Sequence, residues 1–149
     1  MDTRLLWLAG GAFAIGTGTL IITGILPDLS AGLRVSVDTA GLLITIFALS
    51  YAIGSPVLST VFGTIDRKMV LAGAMTVFGL ANLGAAFATD FTLVMAARVV
   101  MALAAGVYMP AANAVAVALV PAARRGRAIA LVTGGMTVAL ILGGPFGTA

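Results

Sequence analysis

The sequence predicts an all-α polytopic membrane protein, and three observations carry that prediction. Residues 5–27, 39–65, 69–89, 99–123 and 128–149 contain no Asp, Glu, Lys or Arg, and each run is 21–27 residues long. About 20 apolar residues, rising roughly 1.5 Å each, cross the hydrocarbon core of a bilayer as a helix. The chain is 61% hydrophobic and 9% charged, where a soluble domain carries about 25% charge. The runs also lack the apolar–polar alternation over about ten residues that marks a membrane barrel strand.

The helices are expected at about 5–26, 40–62, 69–88, 92–118 and 128–149. The first follows Arg4 and is longer than the apolar core of a cleaved signal, roughly 7–15 residues, so it reads as a retained helix. Its Gly10, Gly11, Gly16, Thr17, Gly18, Thr19, Thr23 and Gly24 are too small and polar for lipid on every side. One face must therefore pack on other helices or line a cavity. Pro27, followed by Asp28, stands where this helix should end. The connector 27–39 is polar, and Asp38 is placed to cap the second helix, whose first amides lack acceptors. Residues 63–68, GTIDRK, form a tight turn before the third helix, and 89–91 a shorter one before the fourth. Residues 119–127, LVPAARRGR, form a basic connector to the fifth. No hydrophilic stretch is long enough for a separate domain.

Composition excludes several kinds of chemistry. Cysteine and histidine are absent, which removes disulfides, thiolate or histidine metal sites and histidine-based nucleophilic catalysis. Glutamate is also absent; the acids are Asp2, Asp28, Asp38, Asp66 and Asp90. No metal or cofactor is expected. The net charge of +3 follows from basic residues at the ends of apolar runs, so it does not point to nucleic acid. Arg4, Arg67, Lys68, Arg124, Arg125 and Arg127 fall on one side of the membrane and Arg34 on the other, six against one with Arg98 left out. The positive-inside rule then puts the N-terminus of this multi-pass protein in the cytoplasm.

Arg98 is the most informative single residue. It sits about two turns into the fourth helix, where a charge must be paired, hydrated or able to reach the interface. It is expected to face a polar cavity or another helix. No acid shares its helix, and Asp28 is a candidate partner. Asp66, Arg67 and Lys68 form a charged turn that can either be solvated or act as a lock. Gly143, Gly144, Pro145 and Gly147 are expected to interrupt the fifth helix, since Pro removes a backbone donor and clashes with the preceding turn. Pro110 should act similarly in the fourth. Asn82 and Asn113 need a partner or water inside apolar runs.

These blocks, in this order, resemble the first half of a major facilitator superfamily transporter, most closely the bacterial drug and sugar efflux branch. The resemblance runs through FAIGTGTLIITGILPDLSAGLRVSVDTAGLLITIFALSYAIGSPVL at 13–58, DRKMVLAGAMTVFGLANLGAAFATDFTLVMAARVVMALAAG at 66–106 and RRGRAIALVTGGMTVALILGGPFGT at 124–148. It implies five helices of a six-helix N-terminal bundle in a twelve-helix protein, with substrate held between two bundles. It implies that Arg98 and Gly106 take part in proton coupling. It also implies that Gly135, Gly144 and Pro145 belong to an antiporter's gating helix, and that Asp66, Arg67 and Lys68 belong to a gating turn. The implied activity is proton-driven efflux of a small molecule such as a drug or sugar, without covalent chemistry.

Three positions depart from the family pattern. Asp66 stands where the turn usually has Gly, and Gly63 where it has Asp. Thr19 stands where the efflux branch commonly has Glu, so a proton-linked group in this half would be Asp28 near the surface. Thr19 and Asn113 are candidate cavity residues. On this reading the chain needs the C-terminal half of the transporter, the lipid bilayer, protons and a small-molecule substrate as partners. The alternative is a non-transporting helical membrane protein that acts by association, or an inert fragment.

Overall fold

The computed structural model describes residues 2–147, with side-chain surroundings as far as Leu142. The described residues form five long helices: α1 (Thr3–Leu33), α2 (Val37–Val61), α3 (Arg67–Ala86), α4 (Phe91–Ala118) and α5 (Arg125–Gly147). Short 3-10 turns at Phe62–Thr64 and Ala122–Arg124 extend α2 and lead into α5. All five helical segments are long and apolar enough to cross a membrane.

The few acids largely serve the helix starts. Asp2, Asp66 and Asp90 are N-caps whose carboxylates accept from the backbone N–H of Arg4, Lys68 and Thr92 at 3.3, 3.0 and 3.3 Å. An N-terminal amide has no intrahelical acceptor, so a short acid just outside the helix satisfies it. The cap of α2 is Ser36 rather than Asp38: the Ser36 Oγ accepts from Thr39 N–H at 3.1 Å. Asp38 lies inside the first turn, where its charge complements the helix dipole without capping.

The larger correction concerns α1, which runs through Pro27 to Leu33. Proline deletes one backbone donor but its fixed φ is compatible with a helix. Ser30 Oγ donates to the Pro27 carbonyl at 2.8 Å. The helix stops at Arg34, whose φ of 55° is left-handed, with Arg34 N–H returned to the Ala31 carbonyl and Val35 N–H to that of Ser30. At 31 residues, α1 is about 46 Å long and exceeds the roughly 30 Å hydrocarbon core. The change from apolar to polar residues at Pro27 and Asp28 therefore marks the edge of the apolar layer, not the end of the helix.

The centre of the bundle is α4. It packs against α2 and α3 along much of its length and also meets α1 and α5, while α5 lies mainly on α1. Small residues permit the closest crossings. A side chain at Gly135 would run into the Ala9 carbonyl, and one at Gly16 would meet Ala139 Cβ at 2.8 Å, so α1 and α5 approach backbone to backbone. Between α2 and α4, Gly54 receives Leu103, and a Cβ at Gly106 would sit 3.1 Å from Ser55 Cα. In lipid there is no hydrophobic drive between helices, so such close packing is the main source of association. The buried centre contains Met101, Ala102, Ala105, Tyr108 and Ala112 of α4 with Ala12 and Ile15 of α1. Large apolar side chains such as Leu80, Ile53 and Phe87 point outward, as a lipid-facing surface allows.

Candidate functional site

Arg98 enters the middle of this bundle from α4, beginning about two turns from that helix's Asp90 cap. Only 1% of its surface is exposed, so it does not reach out to the interface. Its Nη1 donates to the Gly18 carbonyl at 3.3 Å and its Nη2 to the Thr19 carbonyl at 3.4 Å. Both contacts are long for charge-assisted hydrogen bonds, which cluster near 2.7–2.9 Å. On the α2 side, Arg98 Cζ lies 4.6 Å from the centre of the Phe47 ring, within cation–π range. Phe47 in turn stacks on Tyr51, with ring centres 6.5 Å apart and planes 15° apart. The Arg98 Nε is buried without a partner.

No carboxylate faces this guanidinium among the described residues. Asp28 is exposed and does not bond Arg98. Arg98 meets α1 at residues 18 and 19, and Asp28 lies nine residues beyond Thr19, about 14 Å along the helix. The expectation of an Asp28–Arg98 pair is therefore corrected. Thr19 does join the arginine, but through its main chain; its hydroxyl donates back to the Ile15 carbonyl at 2.8 Å. The result is a positive charge held by carbonyl dipoles and a ring face, with the Nε–H left without a partner. Such a group can attract a mobile anion, or respond when a nearby acid gains or loses its proton.

The remaining candidates lie apart from this centre. Gly106, two turns further along α4, is buried against Ser55, whose hydroxyl donates to the Gly106 carbonyl at 3.0 Å. Gly135 belongs to the α1–α5 crossing. Asn113 has a buried side-chain oxygen without a partner, whereas Asn82 donates to the Phe78 carbonyl at 2.9 Å. Asp66, Arg67 and Lys68 are exposed at the α2–α3 turn. Asp66 caps α3 there, and no side-chain ion pair links the three. Contrary to the expected interruption, α5 stays helical through Gly143, Gly144 and Pro145 to Gly147; the side-chain surroundings of Gly144 and Pro145 lie outside the described residues.

Sequence reasoning missed Phe47, Ser55 and Tyr108. The Tyr108 hydroxyl, on the same helix as Arg98, donates to the Leu8 carbonyl at 3.0 Å and ties α4 to α1; Gly11 leaves room for its ring. A signal for Ser55 did exist. Pro110 cannot donate to the carbonyl four residues earlier, which is Gly106, so some other donor had to be found in an apolar interior. Phe47 and Tyr51 stand one turn apart in a charge-free run, which is indistinguishable from lipid-facing aromatics until the helices are placed.

Comparison with known proteins places this geometry in context. Residues 8–149 match the family model described as Major Facilitator Superfamily. The chain is 40% identical over 144 residues to the uncharacterized MFS-type transporter YtbD of Bacillus subtilis (strain 168), covering 97% of this chain and 36% of that protein. It is 37% identical over 148 residues to a chloramphenicol resistance protein of Streptomyces lividans, covering 99% of this chain and 38% of that protein. Against the inner membrane transport protein YdhP of Escherichia coli (strain K12), identity is 34% over 144 residues, covering 97% and 37%. The chain thus spans well under half the length of the curated relatives it matches.

Proposed function

The chain belongs to the Major Facilitator Superfamily, and on that premise we propose that its helices form part of an N-terminal bundle in a proton-coupled exporter of a small molecule. The relatives are transporters, and this chain is a multi-pass membrane protein of that family. The single observation that carries the finer reading is Arg98: a buried cation inside an apolar bundle, held by the Gly18 and Thr19 carbonyls and with no acid beside it among the described residues. An intramembrane charge is expensive, about 2.5–3.5 kcal/mol for Arg at a helix centre on insertion scales, and such charges concentrate on ion and substrate pathways. In this proposal a proton arriving on or leaving an acid of the complementary bundle changes the field at Arg98. The coupled shift of α4 against α1 then alternates access to a site between the two bundles.

The basic residues set the orientation in the inner membrane: the turn at 62–68 and the connector at 119–127 face the cytoplasm with the N-terminus. α1 and α4 contribute cavity surface, joined by α2 and α5. Gly106 and Gly135 allow the close crossings about which helices slide, and Gly144 and Pro145 supply the bend in α5. Asp66, Arg67 and Lys68 form part of the cytoplasmic gate, Asp28 lies at the outer mouth, and Asn113 borders the path.

The test is proton release in everted vesicles that carry the longest reading frame containing this chain. Chloramphenicol is the first substrate to try, because one relative is a chloramphenicol resistance protein; sugars and other amphiphiles follow. Substrate-driven collapse of a pre-formed pH gradient supports antiport. Uptake that proceeds unchanged without any proton gradient, and moves no protons, would sink it.

A further inference from the structure

Two cavities adjoin where α2, α3 and α4 diverge near the 62–68 turn. One is an apolar groove of about 490 Å³ that runs along α3 past Met69, Gly73 and Val77, with Leu103 of α4 on its far wall. The other is a smaller pocket of about 190 Å³ that reaches Ser59 and Arg67. Phe62, Val70 and Val107 line both, so the two lie side by side as a depression with an apolar length and a basic end. It opens sideways: Met69 is 69% exposed and Ile65 42%.

We propose that this depression binds one anionic phospholipid, with an acyl chain along the groove and the phosphate beside Arg67. Four observations favour that occupant. The volume of the groove lies in the range of about 300–1,000 Å³ typical of small-molecule sites, and its lining is almost wholly apolar. The charge sits at one end only, as an amphiphile requires. Arg67 is followed by Lys68, and the one nearby acid, Asp66, has its carboxylate turned to the Lys68 amide as the cap of α3. The Ser59 hydroxyl proton is already donated to the Ser55 carbonyl, which leaves its oxygen free to accept from a hydroxylated headgroup. Basic pockets between membrane helices recognise lipid headgroups in this way.

The experiment is native mass spectrometry of the purified product of the longest reading frame containing this chain, offered phosphatidylglycerol and phosphatidylcholine of identical acyl chains in equal amount. Phosphatidylglycerol should be retained in preference by about fivefold, the ratio expected for one basic residue near a membrane surface. Arg67→Ala should abolish the preference. Gly73→Leu should reduce retention of both lipids, because a side chain there meets no protein atom and would occupy the groove. Gly79→Leu, at an equally open position on α3 outside the groove, should change nothing, and circular dichroism should show equal helix content in every variant. Equal retention of the two lipids, or indifference to Gly73→Leu, overturns the proposal. So does a dimer that Gly73→Leu dissociates, since the occupant would then be a second copy of the chain.

Discussion

The Ser55 hydroxyl of α2 donates to the Gly106 carbonyl of α4 at 3.0 Å, and that carbonyl is the acceptor that Pro110 cannot serve. One hydrogen bond thus repairs the gap in α4 and fixes the register of α2 upon it. Ser55→Ala should destabilise the chain in mild detergent by about 0.6–1.7 kcal/mol, from the mean to the maximum measured for polar contacts between membrane helices. Ser55→Thr should retain most of that stability if its methyl is accommodated. Titration with a denaturing detergent, followed by circular dichroism, checks both; an unchanged midpoint for Ser55→Ala contradicts the repair.

The glycines are not equivalent. Gly135→Ala would drive a methyl into the Ala9 carbonyl, whereas Gly134→Ala meets nothing. Overpacking should make the first destabilising by about 1–3 kcal/mol. The second should be neutral or stabilising by up to about 1 kcal/mol through helix propensity. The same unfolding assay separates them, and equal effects would mean that α1 and α5 do not cross at this point.

Asp66 distinguishes a cap from a charge lock. Its carboxylate accepts from the Lys68 amide at 3.0 Å, and Asn caps about as well as Asp. Asp66→Asn should leave stability near that of the parent, while Asp66→Ala should lose about 0.5–2 kcal/mol. If Asp66→Asn proves as damaging as Asp66→Ala, the charge itself is needed and the capping account is incomplete.

Phe47 covers the guanidinium of Arg98 at 4.6 Å. Phe47→Leu keeps an apolar side chain but removes the ring face, with an expected loss of about 0.5–2 kcal/mol. Phe47→Trp should preserve the contact where the larger ring fits. Proton exchange at the Arg98 guanidinium, read by nitrogen-15 NMR in nanodiscs, should accelerate in Phe47→Leu; exchange no faster than in the parent would remove Phe47 from the site.

Much of this fold was legible because lipid imposes a simple rule: charge within a helix that crosses it is costly and therefore rare. The charge-free runs accordingly mark the helices, although Arg98 cuts the fourth run short and α4 starts before it, at Phe91. The same rule explains the error in α1. Charge reports where the hydrocarbon ends, and a helix can continue beyond it, as α1 does through Pro27 to Leu33. Arg98 was legible as the lone cation deep in a run, but its surroundings were not. Main-chain carbonyls such as those of Gly18 and Thr19 leave no mark in a sequence, and Phe47 resembles any other aromatic in an apolar helix. Long-range charge attraction pointed instead to Asp28, and helix length rules that out. Asp38 misled for a related reason, because Ser36 is an equally good cap and stands two residues earlier.

The account turns on Arg98, and the most direct measurement compares substrate-driven proton release by the parent and by Arg98→Ala and Arg98→Lys. The comparison is made in everted vesicles of the longest reading frame containing this chain, with membrane amounts matched. The parent should release protons on addition of an exported substrate. Arg98→Ala should insert normally and release none. Arg98→Lys should fall well below the parent, since an ammonium cannot span the Gly18 and Thr19 carbonyls with two parallel donors. Proton release by Arg98→Ala equal to that of the parent would contradict the claim that this buried charge couples transport to protons.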